Sequence, residues 1–326
     1  MTRSFAKPKK ILAVADTSDA QIALTSALAL AETHGASVEV IACVEPPPEL
    51  SILSRFSGEN PQQLIDDAVR QTREVVEARL AQIAPASAQS LTVAVGKAYL
   101  EIIRHAARSK CDFVVKKAEP LSGMERFLFA SNDQHLLRKC PCPVWLTTGT
   151  APASPRRILA TVDLDIADAD ESGTLAALNR RVVAAACAMA VRPDTEVTVL
   201  HAWEAIGEGM VWTFAGGNDA RLSVDRYVNE VLAARHKEMD TLLAQLRNDI
   251  GARPRLVPLL VRGSPETVIH QQSRDLSADV VVMGTVARTG LSGVFIGNTA
   301  ENIINRLECP VLAVKPEGFV SPLLHD

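Results

Sequence analysis

Aromatic residues, long apolar runs and surplus positive charge are scarce in this 326-residue chain. Aromatics make up only 4% of it (3 Trp, 2 Tyr and 8 Phe), so any large core has to be aliphatic. No stretch approaches the roughly 18 consecutive apolar residues needed to cross a bilayer, and no membrane span is expected. The basic start, Met1 to Lys10, is not followed by a signal-peptide core and cleavage site, so a cytoplasmic protein is expected. Thirty-four Lys plus Arg against 38 Asp plus Glu give a net charge of −4, which is no electrostatic footprint for nucleic acid.

Reactive constellations are equally thin. Six cysteines, at 43, 111, 140, 142, 187 and 309, lack the density of a secreted disulfide framework and read as reduced thiols. Cys140 and Cys142, with His135 five residues earlier, find no second cysteine pair to complete four ligands, so no metal is expected. His135, His201 and His270 have no Ser, Cys or carboxylate at motif spacing, and no G-x-S-x-G occurs, so a catalytic triad is not indicated.

What the chain does have is 47% apolar residues, a length suited to two domains, and an internal repeat. K-I-L-A-V-A-D at Lys10 returns as R-I-L-A-T-V-D at Arg157, an offset of 147. V-E-V-I-A-C-V-E at Val38 returns at Val197 with an offset of 159. Gly96, Asp112 and Cys142 then match Gly263, Asp279 and Cys309, all at 167, so the second copy has gained 20 residues. Domains over 1–148 and 156–326 follow, joined by a small, polar, Pro-containing linker at 149–155.

Within each copy, short Val/Ile/Leu-rich runs without polar alternation read as parallel strands buried on both faces. Helical stretches separate them: one started by Thr17 and Ser18 and ended by Gly35, then Asn60–Ile83, Asn179–Ala190 and Val224–Leu246. The expected fold is α/β: two tandem, doubly wound, open parallel five-stranded sheets of Rossmann-like type, with ligands beyond the carboxyl ends of the strands.

The fourth strand of the second copy runs into G-T-V-A-R-T-G-L-S-G-V-F-I-G-N-T, a glycine-rich loop opening a helix at Asn298. Such a turn can present backbone N–H groups to an anion. It is neither a Walker A loop nor a G-x-G-x-x-G fingerprint, and Gly290, Gly293 and Asn298 could equally serve tight turns and a helix cap. The tandem order, the Asp after the first strand, this loop and the closing C-P-V-L-A-V-K resemble a tandem universal stress protein over nearly the whole chain.

The resemblance implies a pseudo-dimer paired through the last strands, Pro143–Leu146 and Pro310–Val314. It further implies association of two chains and a stress-resistance role through an unnamed client protein. In ATP-binding members the pattern G-x2-G-x9-G-S/T holds the phosphates; here it falls on Gly284, Ala287, Gly297 and Asn298, keeping spacing while changing two identities. Adenine and ribose contacts would come from Asp163, Ala202 and Met283, with Thr299 following the cap. If position 287 needs positive φ, its Ala costs about 1 kcal/mol.

The first copy reads as unable to bind ATP. Lys117, Pro120, Ala130 and Ser131 stand at the four pattern positions, and Glu119 puts negative charge where an anion would sit. The resulting expectation is a regulatory binding protein with ATP as candidate ligand in the second half. An apolar or lipid-like ligand is the first alternative, argued from the inserted Trp203–Asn218 segment. That segment carries Met210, Val211, Trp212 and Phe214 and reads either as packed on the protein or as a lid over the sheet edge. Pro46–Phe56 occupies the matching place in the first copy. A slow ATPase is the remaining alternative.

Overall fold

A computed structural model describes residues 7–17, 21–84, 90–119, 131–149, 151–165, 173–215, 220–250, 254–285 and 297–324. The first half runs β1 (Lys10–Val14), α1 (Ile22–His34), β2 (Ser37–Val44), α2 (Leu50–Ser57), α3 (Pro61–Ile83), β3 (Ser90–Val95), α4 (Ala98–Arg108), β4 (Phe113–Lys117), α5 (Ser131–Lys139) and β5 (Val144–Thr147). The second repeats it as β6 (Arg157–Thr161), α6 (Thr174–Met189), β7 (Glu196–Trp203), α7 (Glu208–Ala215), α8 (Ala220–Ile250), β8 (Arg255–Arg262), α9 (Pro265–Asp275), β9 (Val280–Gly284), α10 (Asn298–Arg306) and β10 (Val311–Val314). The offset of 167 carries α4, β4, α5 and β5 onto α9, β9, α10 and β10 residue for residue.

All ten strands join one sheet, in the order β3-β2-β1-β4-β5-β10-β9-β6-β7-β8. Pairing is parallel inside each half and antiparallel at the single joint, where Val311, Leu312 and Ala313 face Leu146, Trp145 and Val144. The pseudo-dimer is therefore a continuous sheet, and the carboxyl ends of the two sets of strands point in opposite directions. β5 and β10 are buried along their whole length. Being apolar on both sides, they feed two core layers. One layer holds Trp145 and Leu312 beneath α1 and α6; the other holds Leu146 and Val311 beneath α4, α5, α9 and α10. Both layers draw on both halves, so the core does not stop at the joint.

Helix ends follow local chemistry. Asn60 and Gln63 form a reciprocal capping box at the start of α3, with Pro61 in its first turn. Gly35 closes α1 in the left-handed conformation, at φ 65°. Gly96 and Gly263 sit at φ 143° and 141°, where a side chain would be strained. Each returns its N–H to the end of the neighbouring strand, at Val44 O (3.0 Å) and Trp203 O (2.9 Å).

Three expectations need correction. α1 starts at Ile22 behind an uncapped Gln21, later than the Thr17–Ser18 signal. α6 starts at Thr174, earlier than Asn179, because its amphipathic pattern continues one turn upstream. The segments after the second strand of each half contain the short helices α2 and α7 where loops were expected.

Side chains also stitch the halves together. His34 Nε2 lies 2.7 Å from Ala188 O, and Arg138 pairs with Glu301. Lys315, only 3% exposed, donates to Leu137 O (2.5 Å) in the last turn of α5 and to Thr285 Oγ1 (2.7 Å) just past β9. Burial pushes its pKa down to about 7. Among the described residues, no helix is long and apolar enough to cross a membrane.

Candidate functional site

In an open parallel sheet the ligand position is the crevice beyond the strand ends where the chain order reverses. In the second half that point lies between β6 and its neighbour β9, and a cavity of about 580 Å³ opens there. Asp163, Ala202, Met283, Gly284, Gly297 and Thr299 all line it. Asn298 opens α10 beside them, its side chain outside the described residues, as is Ala287.

Each strand end is fixed by specific partners. The Asn179 side chain, on α6 and 3% exposed, clamps the Asp163 backbone: its Oδ1 accepts the Asp163 N–H (3.0 Å) and its Nδ2 donates to the Asp163 carbonyl (2.6 Å). Asp163 Oδ1 accepts the Asp165 N–H (3.1 Å), so Asp163 closes a turn and does not cap α6, which begins eleven residues later. His201, on β7 and 1% exposed, has its Nδ1 3.3 Å from the Leu164 N–H and 3.2 Å from the Val162 carbonyl. Nδ1 accepts from that N–H in one tautomer of the ring and donates to that carbonyl in the other. The other ring nitrogen, Nε2, is buried without a hydrogen-bond partner, 3.7 Å from Asp165 Oδ1. Asp165 is itself paired with Arg235 of α8 at 2.7 Å.

The glycines have structural reasons of their own. A Cβ on Gly284 would lie 2.8 Å from Leu178 Cδ2, so this glycine lets α6 sit down on β9. Gly297 is the N-cap of α10 and gives its N–H to Thr285 O (3.1 Å), which removes that donor from any ligand. What α10 still offers is the row of first-turn N–H groups that every helix leaves without an internal partner.

The same place in the first half is built differently. Lys116 stands where Met283 does and Asp133 where Ala300 does, 5% and 0% exposed. Lys116 Nζ reaches Asp133 Oδ1 (2.9 Å), Glu119 Oε1 (2.6 Å) and Lys117 O (3.1 Å), while Asp133 Oδ2 accepts the Glu119 N–H (2.8 Å). Burial opposes the charge on Lys116, but the two carboxylates hold its pKa above the ordinary lysine value. Glu119 is thus neutralised in place, and the carboxylate seated at the helix start is Asp133. Pro120 and Ala130 lie outside the described residues; Ser131 opens α5.

A family model for the universal stress protein family matches residues 7–148 and 156–315. The chain belongs to the universal stress protein family. It is 31% identical over 228 residues to universal stress protein E of Escherichia coli K12, covering 69% of this chain and 67% of that one. It is 27% identical over 227 residues to its namesake in Photorhabdus laumondii, covering 69% and 68%. Two matched domains and these relatives make it a tandem, E-type universal stress protein, and so a stress-response protein. Two solved structures share the fold over nearly full length. One is a putative universal stress protein from Pseudomonas aeruginosa (23% identity, TM-score 0.63, 96% of this chain and 95% of that one). The other is a universal stress protein from Archaeoglobus fulgidus (17%, TM-score 0.59, 96% and 99%).

Of the two readings of the inserted segment in this universal stress protein, its described part takes the packed one: α7 lies against α8 and not over the cleft. Gly207 is pressed against Tyr227 of α8, its N–H 3.1 Å from the phenol oxygen, and α7 runs on against α8 from there. Met210, Trp212 and Phe214 are 63%, 57% and 80% exposed and do not line the cleft; Ile206 and Glu204 do. Sequence reasoning missed Asn179, Asp165 and Arg235 in one half and the Lys116–Asp133 pair in the other. The one available signal was the polar residue inside the apolar helix 179–190.

Proposed function

We propose that this tandem universal stress protein is a regulatory binding protein whose second domain takes one adenosine-type ligand in the β6–β9 cleft, the first domain serving as its fixed structural partner. The observation that carries the reading is the convergence of Asp163, Ala202, Met283, Gly297 and Thr299 on a single cavity beside a helix N-terminus. Ala202 and Met283 provide apolar flanks for a planar base, and the Asp163 carboxylate lies at the edge where sugar hydroxyls would be held. The ligand would adjust conformation or partner choice by binding one state of the protein better than another, with no chemical step required.

Asp163, Asp165, Glu204 and Glu266 line the cleft, and among the described residues no Lys or Arg does. Isothermal titration of the intact chain with adenosine nucleotides tests the proposal. One site per chain is expected, lost at least tenfold in Met283→Lys/Ala300→Asp, which transplants the first half's ion pair. Two sites per chain, or unchanged binding by that variant, would overturn it. A second reading, an apolar ligand, draws support from the Leu175, Leu178, Val182, Ile206, Ile269 and Ile303 walls. A lipid-like mass retained in native mass spectrometry of gently purified protein would favour it.

A further inference from the structure

Thiols buried in apolar surroundings are inert, and four of the six here fit that description: burial pushes Cys43, Cys111, Cys187 and Cys309 up to about 12. The other two stand together. Cys140 and Cys142 lie in the turn between α5 and β5, 0% and 8% exposed, with their sulfurs 3.7 Å apart and sharing a hydrogen bond. A sulfur that accepts such a bond is eased toward thiolate, which holds Cys140 below the ordinary thiol range and pushes Cys142 well above it. A disulfide sets two sulfurs roughly 2 Å apart, a distance these side chains can reach by rotating within their turn.

A cation from the other half completes the cluster. The joint pairs Ala313 with Val144, and continuing that register by two residues sets Lys315 opposite Cys142, beside the core layer that holds Ala313, Val144 and both cysteines. Its ammonium is held by Leu137 O and Thr285 Oγ1 and lies 5.1 Å from the centre of the Phe319 ring. Burial brings its pKa to about 7, and the nearby Cys140 opposes that fall. Near neutrality Lys315 is therefore partly a free amine, able to take a proton from a thiol. At the offset of 167, Leu307 stands where Cys140 does, and Thr148 stands where Lys315 does, so the thiol pair and its lysine occur once in the molecule.

We propose that Cys140 and Cys142 form a reversible dithiol–disulfide centre that reacts with hydroperoxides, with Lys315 of the opposite half accepting the Cys140 proton. Once Lys315 has that proton, the Cys140 thiolate attacks one peroxide oxygen and the O–O bond breaks. The departing hydroxide or alkoxide recovers the proton from Lys315 and leaves as water or an alcohol. Cys140 is then a sulfenic acid; Cys142 attacks its sulfur, the S–O bond breaks, and the hydroxide leaves as water with the Cys142 proton. The two sulfurs lose two electrons and the peroxide gains them. Burial excludes a bulky disulfide as oxidant and admits a small hydroperoxide, which enters by local opening of the turn. Oxidation removes the sulfur charge beside Lys315 at the point where this side chain ties Leu137 of one half to Thr285 of the other, so the redox state is felt at the joint.

The test is treatment of the reduced full chain with hydrogen peroxide, followed by thiol counting and peptide mass spectrometry. Two of the six thiols should disappear, and the peptide spanning 140–142 should lose two hydrogens and regain them with dithiothreitol. Oxidation should run at least fivefold faster than in the urea-unfolded chain, where the thiols have no special surroundings. Cys142→Ser should stop the reaction at a sulfenic acid on Cys140, captured by dimedone, and Cys140→Ser should abolish it; Cys140→Ala and Cys142→Ala serve if circular dichroism shows either serine variant misfolded. Cys309→Ser should react as the parent does. Lys315→Met should slow sulfenic-acid formation at least fivefold while leaving reduction by dithiothreitol within about twofold, a split that a merely loosened joint would not give. Six surviving thiols, a rate no faster than that of the unfolded chain, or a disulfide to Cys111 or any other cysteine would overturn the proposal. An unchanged rate in a folded Lys315→Met protein would overturn the part given to Lys315.

Discussion

The two halves share a strand scaffold, yet at the carboxyl edge one encloses a cavity and the other a salt bridge. Met283 and Ala300 leave room between β9 and α10. Lys116 and Asp133 close the equivalent place with an ammonium and a carboxylate that the chain supplies itself. An α/β edge with a helix start pointing into it attracts an anion. Evolution can answer with a ligand from outside or with a side chain from inside, and this protein displays both answers.

The comparison can be broken most forcefully at Asp133. Asp133→Ala leaves a buried Lys116 with Glu119 and the Lys117 carbonyl as its described partners, and should destabilise the protein by about 3–5 kcal/mol in equilibrium urea unfolding. Lys116→Met/Asp133→Ala, which installs the second half's residues, should recover most of that, since a buried pair exchanged for packed apolar groups is often close to neutral. A double variant as unstable as the single one would mean the pair shapes the fold instead of plugging a site.

Next comes acid. Burial would raise the Glu39 pKa, but hydrogen bonds from Lys10, Ser109 and His105 hold it at about 2, against an ordinary value of 4.5. A depressed carboxylate gives stability that is present above the unfolded pKa and lost as pH falls through the folded one. About 3 kcal/mol should therefore disappear between pH 4.5 and 2. Thr198 stands at this position in the second half, so the loss should be confined to the first and be flattened by Glu39→Gln, as read by urea midpoints across pH.

A smaller contrast lies at the ends of β4 and β9. Gly284→Ala pushes a methyl group into Leu178 and should cost about 1 kcal/mol, since the methyl end of Leu178 can swing toward the cleft; it should also weaken ligand binding. Lys117→Ala, its counterpart, should change the thermal midpoint hardly at all. Smallest of all, Phe56→Ser on α2 and Phe214→Ser on α7, at side chains 92% and 80% exposed, should each shift stability by less than about 0.5 kcal/mol.

The scaffold was readable in the sequence because duplication prints it twice. A run such as C-D-F-V-V is ambiguous alone; matched to A-D-V-V-V at a constant offset it becomes a strand with a known neighbour. Capping chemistry placed the start of α3 and the end of α1 for similarly local reasons. α2 and α7 escaped because eight residues are too few for periodicity to decide. Asp163, Ala202 and Met283 were named through the family resemblance, and all three line the second-half cleft. What sequence reading missed was made by distance: Lys116 and Asp133 are 17 residues apart, and Asp165 and Arg235 are joined only when α8 packs onto the sheet. Gly284 showed another limit, since close contact with Leu178 and approach to a phosphate demand the same residue.

The antiparallel meeting of β5 with β10 carries a last consequence. When two separate chains pair this way, dilution parts them and every substitution appears on both sides of the axis. With the nine residues from Thr148 to Arg156 joining β5 to β6, the second half is always within reach of the first, whatever the cellular abundance of the protein. Symmetry then stops being an obligation. Lys116 could enter one edge without Met283 leaving the other, and a single molecule could divide its labour between an anchor and a receptor.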